Sequence, residues 1–164
     1  MPEEFERRGR YRAMRRVMRR CLLHCALVLV TTLGSVGCDE SLSDVTGPTP
    51  NLEPTFSSIQ REIFSSTDSS GRPACTNCHN PTLNRGGLDL SPSVSYNNLI
   101  NVASRLKAGA VRVIPGDPEN SYIIHKLEGR STIVGVRMPL GGPYLETGQI
   151  SVIKRWIEIG APNN

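Results

Sequence analysis

The sequence predicts an all-α domain with long loops, and two observations lead to this class. Apolar residues recur at helical spacing in four short stretches after residue 54, and residues typical of helix ends flank these stretches. Strand-like alternation of apolar and polar residues is limited to a weak run at 111–114. We therefore expect about four short helices joined by irregular segments.

The first two predicted helices are marked by capping residues. Thr55 can cap the first, and a polar and glycine-containing stretch at 65–72 ends it. Its apolar face comprises Phe56, Ile59 and Ile63. Ser91 and Pro92 supply a cap and a first-turn proline for the second. Its apolar face comprises Tyr96, Leu99, Ile100 and Ala103.

The third and fourth predicted helices follow the same rules. Asp117 and Pro118 again form a cap and a first-turn proline, and Gly129 is a stop signal. The apolar residues of the third helix are Ile123, Ile124 and Leu127. The fourth is expected from about Glu146 to Ile159, before Gly160. Its apolar stripe comprises Ile150, Val152, Ile153, Trp156 and Ile157.

Residues 1–37 are predicted to be a signal peptide of the lipoprotein type. Eight arginines lie between positions 7 and 20, an apolar run follows from residue 21, and small residues lead to Cys38. The run is too short and too interrupted for a membrane span. Residues 35–38 resemble a lipobox, with Ser35 where leucine is usual, so we expect lipid attachment at Cys38; ordinary cleavage nearby is the alternative. The protein should be exported, periplasmic and anchored to a membrane.

Removal of this leader changes the charge balance. The remaining 127 residues carry eleven basic and twelve acidic side chains, so the high isoelectric point gives no case for nucleic-acid binding. Residues 38–54 are rich in Ser, Thr, Asp, Pro and Gly and should form a flexible tether. Residues 55–164 are long enough for one small domain.

The motif with the most chemical content is Cys75-Thr76-Asn77-Cys78-His79. In an exported chain, C-x-x-C-H is typical of covalent haem attachment, because two thiols at this spacing reach the two vinyl groups of one haem. His79 can then bind the iron through Nε2, with its other ring nitrogen held by a backbone carbonyl. A Cys75–Cys78 disulfide and a thiol or zinc site are the alternatives, although a fourth zinc ligand at suitable spacing is lacking.

A second iron ligand is expected at Met138, fifty-nine residues after His79. This methionine lies outside any apolar helical stripe, in a proline- and glycine-rich loop at 135–143. Pro139 restricts its backbone, which helps to present the thioether to a pocket. No other methionine follows the leader. His125, on the third predicted helix, is the competing ligand.

From residue 55 onward the chain resembles a class I c-type cytochrome, in particular the monohaem variety found as bacterial periplasmic lipoproteins. The matching segments are 59–64, 75–79, 86–90, 115–122, 137–139 and 153–161. The resemblance implies thioether bonds at Cys75 and Cys78, axial ligation by His79 and Met138, and helices wrapped around one covalent haem. It also implies that the first and last helices cross, although the spacer at 65–74 is longer than in compact cytochromes.

The function expected from this resemblance is electron transfer between redox partner proteins, with one haem c and its iron as cofactor. With both axial positions filled, we expect neither enzymatic activity nor a small-molecule substrate. The alternative is a haem peroxidase or gas sensor with an open sixth position, for which Arg137 and His125 are the available polar groups. Gly86 and Gly87 could form a turn or a haem wall, and Pro81 and Pro92 are candidates for haem support.

Overall fold

A computed structural model describes residues 47–164, whose regular elements are all helical. The α-helices are α1 (Phe56–Ile59), α2 (Ser95–Leu99), α3 (Tyr122–Glu128) and α4 (Thr147–Glu158). A π-helical turn, Gln60–Phe64, continues α1, and 3₁₀ turns cover Cys75–Asn77 and Arg85–Gly87. Within this part of the chain there are no strands, only three isolated bridges. The expected helical class is thereby confirmed.

Several predictions fall on residues outside the described part. They are the signal peptide at 1–37, the lipid attachment at Cys38 and most of the tether at 38–54. Among the residues that the structure does describe, no helix has the length and apolar character needed to cross a membrane.

Three predicted helix ends are confirmed. The Thr55 hydroxyl accepts a hydrogen bond from the backbone N–H of Ser58 at 3.2 Å. Gly129 ends α3 in the left-handed conformation, with a φ of 72°. Before α4, the Glu146 N–H donates to the Gln149 side chain at 2.8 Å, which is one half of a capping box. These ends depend on local contacts, so the sequence pattern identifies them.

The two cap-plus-proline pairs are not helix starts, which corrects the sequence analysis. The Ser91 carbonyl accepts from Val94 N–H in a turn, and α2 begins only at Ser95. Asp117 likewise accepts from Asn120 N–H at 3.1 Å, but α3 begins at Tyr122.

The physical reason is competition from other hydrogen bonds. The Ser121 hydroxyl donates to the Asp117 carbonyl and accepts from Ile114 N–H, and Ser121 itself is extended. After α2, Ile100 and Ala103 form bridges with Val113 and Val111 and are therefore outside the helix.

Packing against the domain extends upstream of Thr55. Leu52 is only 1% exposed and belongs to the hydrophobic core. The Gln149 amide on α4 donates to the Thr49 hydroxyl at 2.9 Å. The segment from Thr49 onward therefore packs as part of the folded unit.

The first and last helices share one core. The rings of Phe56 and Trp156 lie 5.5 Å apart, and Tyr96 meets Phe56 edge-on at 5.0 Å. Ile59 and Ile63 are fully buried in the same cluster. Trp156 is fully buried as well, and its indole N–H donates to the Pro162 carbonyl, so it acts as a core residue.

The long spacer before the cysteine motif is closed by a buried arginine. Arg72 is fully buried and pairs with Asp68 at 2.9 Å. The same guanidinium donates to four backbone carbonyls, those of Glu62, Ile63, Ser66 and Pro73. The carbonyls at the end of a helix lack partners within it. Arg72 therefore caps the π-helical turn and fixes the chain three residues before Cys75.

Candidate functional site

A cavity of about 310 Å³ brings together the four residues that the sequence singled out as haem and iron ligands. Cys75, Cys78 and His79 form part of one wall, and Met138 also lines the cavity. Most of the remaining lining is apolar, including Phe64, Leu88, Leu90, Leu99, Ile123, Leu127 and Leu140. Two thiols, an imidazole and a thioether thus share one apolar space.

The cysteine motif sits in a compact turn. The backbone N–H groups of Cys78 and His79 both donate to the Cys75 carbonyl, at 3.2 and 2.9 Å. The His79 carbonyl accepts from Leu90 N–H at 2.9 Å. The loop after the motif therefore folds back and holds the backbone of the histidine.

The His79 ring is fixed by a backbone acceptor. Nδ1 lies 2.8 Å from the Arg85 carbonyl oxygen, which can only accept, so Nδ1 carries the proton. Burial lowers the pKa of His79, and the charges of Arg112 and Lys126 act in the same direction. The ring is therefore held neutral, with the Nε2 lone pair available for a metal.

The Cys75 thiol is kept protonated by its surroundings. Its Sγ donates to the Ile63 carbonyl at 3.5 Å, and burial raises the pKa of Cys75 to about 11. Thiols activated for redox or nucleophilic chemistry have a lowered pKa instead. Cys75 and Cys78 are both free in this structure. The Cys75 environment thus resembles that of an unreactive buried thiol.

Alkylation of the haem-free protein should report this protection. We expect the rate at Cys75 to rise with pH toward a midpoint near 11, because only the thiolate reacts. Iodoacetamide labelling between pH 7 and 11, read by tandem mass spectrometry to separate Cys75 from Cys78, measures it. A Cys75 midpoint near the ordinary value of 9 would contradict the buried environment.

The loop that carries Met138 is anchored on α3. Met138 N–H donates to the Lys126 carbonyl at 2.9 Å, and Lys126 Nζ donates to the carbonyls of Val134 and Val136. The Tyr122 hydroxyl accepts from Val134 N–H at 2.9 Å. One helix therefore fixes the backbone at the methionine and in the residues that precede it.

The side chain of Arg137 adds a further attachment. Its Nε donates to the Leu127 carbonyl at 2.7 Å, and its guanidinium lies 4.2 Å from the centre of the Tyr144 ring. A Cβ added at Gly129 would lie 2.8 Å from Cδ of Arg137. The glycine that ends α3 thus also leaves room for this arginine.

We expect Gly129→Ala to lower the free energy of unfolding by about 1–2 kcal/mol, because alanine is strained at positive φ and would displace Arg137. The matched control is Gly141→Ala, at a φ of 81° with nothing within 4 Å of the added Cβ. Urea unfolding of both variants measures the difference. An equal loss of unfolding free energy in the two variants would show that the contact with Arg137 does not contribute to stability.

The cations of the cavity were not predicted from the sequence. Arg112 is buried, and its two terminal nitrogens donate to the carbonyls of Asn98 and Gly87 at 2.7 and 2.6 Å. Burial lowers the pKa of Arg112, and the charge of Arg105 lowers it further. Arg85 and Lys126 also line the cavity. The one available signal was an arginine inside the apolar run at 111–114.

Other residues considered from the sequence lie elsewhere. His125 is not among the residues that line the cavity, and its Nε2 donates to the Glu119 carbonyl at 2.7 Å. Arg137, Pro81 and Pro92 are outside the lining too. Gly86 contributes to the lining, and Gly87 is covered by the Arg105 side chain.

Comparison with protein-family models, curated proteins and solved structures gave no match to this chain. Within residues 47–164, no three His, Cys, Asp or Glu side chains are arranged to share a metal ion, as a zinc site would require.

Proposed function

We propose that this chain is an exported one-electron carrier of the class I c-type cytochrome kind. It would hold one haem through Cys75 and Cys78, with His79 and Met138 as axial iron ligands. One observation carries the proposal: these residues, although His79 and Met138 are fifty-nine positions apart, line a single apolar cavity.

The residues present fit the chemistry of a haem. Its ring is apolar and its iron takes a histidine and a methionine in electron-transfer cytochromes. The lining offers two free thiols, a neutral imidazole and a thioether. Its two propionates are anions, and Arg112 is a buried cation without a carboxylate partner among the described residues. The donor atoms, the polarity and the charge of the cavity therefore all match what a haem requires.

When bound, the haem would supply a one-electron ferrous–ferric couple, and the protein would tune and shield it. Met138 offers a soft sulfur that favours the ferrous state and raises the potential. The His79 ring is held by the Arg85 carbonyl and the Met138 backbone by α3, which would limit the rearrangement of both ligands as the charge changes. The apolar lining excludes water, which strengthens the influence of these groups.

The same proposal covers location and partners. Lipid attachment at Cys38 would anchor the protein on the periplasmic side of a membrane, and the part of the predicted tether that precedes Thr49 would separate the folded domain from the membrane surface. Electrons would be exchanged with redox partner proteins.

The test is expression of the full chain, with its own leader, in a host that has the c-type haem attachment machinery. We expect haem that stays with the protein on a denaturing gel, a low-spin spectrum with the far-red methionine–iron band, and no change with carbon monoxide. Cys75→Ser together with Cys78→Ser should abolish the retained haem. The Cys38→Ser protein should retain the haem but should no longer be found in the membrane fraction.

Two outcomes would contradict the proposal. A high-spin spectrum that changes with carbon monoxide would favour the peroxidase or gas-sensor alternative, with an open sixth position. A protein with no retained haem under the same conditions would rule out both haem functions.

A further inference from the structure

A second cavity, of about 270 Å³, is lined by residues of α3, α4 and the loop that carries Met138. Its lining residues are Glu128, Arg137, Thr147, Ile150, Ser151 and Lys154. Four of them lie on α4 at positions 147, 150, 151 and 154, the spacing of one helical face. None of the six lines the cavity of the cysteine motif. The second cavity is therefore a separate space.

The charges around the second cavity leave one cation unbalanced. Glu128 and Glu119 each pair with both Arg130 and Lys154, so two carboxylates balance two cations. Burial opposes ionisation of Glu128, but hydrogen bonds from Lys154 and Arg130 hold its pKa below the ordinary value, so it stays charged and paired. Arg137 forms no ion pair within residues 47–164. The uncompensated charge at the second cavity is therefore positive and belongs to Arg137.

The Arg137 guanidinium is held in place but keeps unused donors. Its Nε donates to the Leu127 carbonyl, and the Tyr144 ring lies against it. Its two terminal nitrogens donate to no residue in the described part of the chain. Paired N–H groups of a guanidinium match the two oxygens of a carboxylate. The side chain is therefore prepared to bind a planar anion.

The rest of the lining combines polar and apolar groups. The Ser151 hydroxyl donates to the Thr147 carbonyl at 2.9 Å, whereas the Thr147 hydroxyl has no hydrogen bond within residues 47–164. Ile150 is only 7% exposed and supplies an apolar surface. A ligand with one carboxylate and a short aliphatic tail would satisfy these groups together.

We propose that the second cavity binds a small aliphatic monocarboxylate, whose oxygens accept from the terminal nitrogens of Arg137. A dianion such as phosphate would bring a second negative charge near Glu128, where every cation is already paired except Arg137. The site does not depend on the proposed electron-transfer function, but its effect on the iron does. Arg137 directly precedes Met138, and a carboxylate that neutralises its charge would favour the ferric state. By linkage, the ferric protein would bind the carboxylate more tightly than the ferrous protein.

The test is an amide NMR titration of the ¹⁵N-labelled, haem-loaded and anchor-free Cys38→Ser protein with butyrate at constant ionic strength. The amide signals of Arg137, Thr147 and Ser151 should shift and saturate with a Kd of about 1 mM, as expected for so small a ligand. Butylammonium, which has the same tail and the opposite charge, should cause no such shift.

Three variants define the contacts. Arg137→Lys keeps the charge but loses the paired donors, and it should weaken butyrate binding about tenfold. Ser151→Leu fills the second cavity without a change of charge and should abolish binding. Arg155→Gln removes a cation from an exposed ion pair elsewhere on α4 and should leave the Kd unchanged.

The absence of saturable shifts at about a hundred times that concentration would overturn the site. Equal affinity in Arg137→Lys, or tighter binding of phosphate than of butyrate, would overturn the recognition of a carboxylate. The ferric protein should bind butyrate about threefold more tightly than the ferrous protein, so that butyrate lowers the reduction potential; an unchanged potential would overturn the coupling. A protein without covalent haem would contradict the proposed function instead, and the amide titration would still decide whether the second cavity binds butyrate.

Discussion

Met138→His is expected to lower the reduction potential of the haem-loaded protein by a few tenths of a volt, on the order of 0.2–0.3 V. The thioether stabilises the ferrous state, and an imidazole at the same place favours the ferric state. The far-red methionine–iron band should disappear from the ferric spectrum. Potentiometric titration followed by visible spectroscopy measures both changes on one sample.

The matched control for this prediction is His125→Ala. His125 lies outside the cavity lining and its ring is bonded to the Glu119 carbonyl, so the potential and the far-red band should stay as they were. A parent protein that lacks the far-red band, and whose potential changes in His125→Ala but not in Met138→His, would make His125 the ligand and reject Met138.

The second large effect is expected for Arg72→Ala, which should reduce the free energy of unfolding by about 3–5 kcal/mol at neutral pH. The change leaves Asp68 buried without its cation and leaves the carbonyls of Glu62 and Ile63 without this donor. Arg61→Ala is the control, because its ion pair with Glu62 is exposed and worth roughly 0–1 kcal/mol. Urea unfolding of the haem-loaded proteins measures the difference.

The pH dependence of the Arg72→Ala effect follows from Asp68. Burial opposes ionisation of this carboxyl, but hydrogen bonds from Ser70 and Arg72 outweigh burial and hold its pKa below the ordinary value. A lowered pKa stabilises the folded state above about pH 4, the unfolded value, and this contribution is lost as the pH falls further. The deficit of the variant should therefore be smaller at pH 3 than at pH 7. An equal deficit at both would contradict an ionic role for the pair.

Local signals in the sequence located much of the fold. Local signals predict the Thr55 cap, the Gly129 stop and the start of the last helix near Glu146, and all three occur in the structure. Ser91 and Asp117 carry equally good local signals. After Asp117 the hydrogen bonds of Ser121 override the local preference, and the bridge between Ile100 and Val113 ends α2 earlier than the sequence predicts.

The residues of the candidate site also fall into those that local sequence signals identify and those that they do not. Cys75, Cys78 and His79 are adjacent in sequence, so the motif alone brings them together. Met138 could be selected by elimination, but nothing local shows that Lys126 and Tyr122 hold its loop. These bonds reach backbone atoms eight to twelve residues away, and backbone atoms leave no pattern in a sequence.

The roles of Arg72 and Arg112 could not be predicted from the sequence for the same physical reason. Each buried guanidinium binds carbonyl oxygens, which every residue possesses, so the identity of the partner residue gives no clue. The burial of these arginines and the choice of the carbonyls that they bind are set by the folded structure and not by the local sequence.

The attachment of the Met138 loop has a consequence for engineering. Lys107, Lys126 and Tyr122 bind main-chain atoms at positions 132, 134, 136 and 138, and none of these bonds involves a loop side chain. The outward side chains at 132, 134 and 136 can therefore be exchanged while the methionine stays in place. The surface chemistry of this loop can thus be changed independently of the position of Met138.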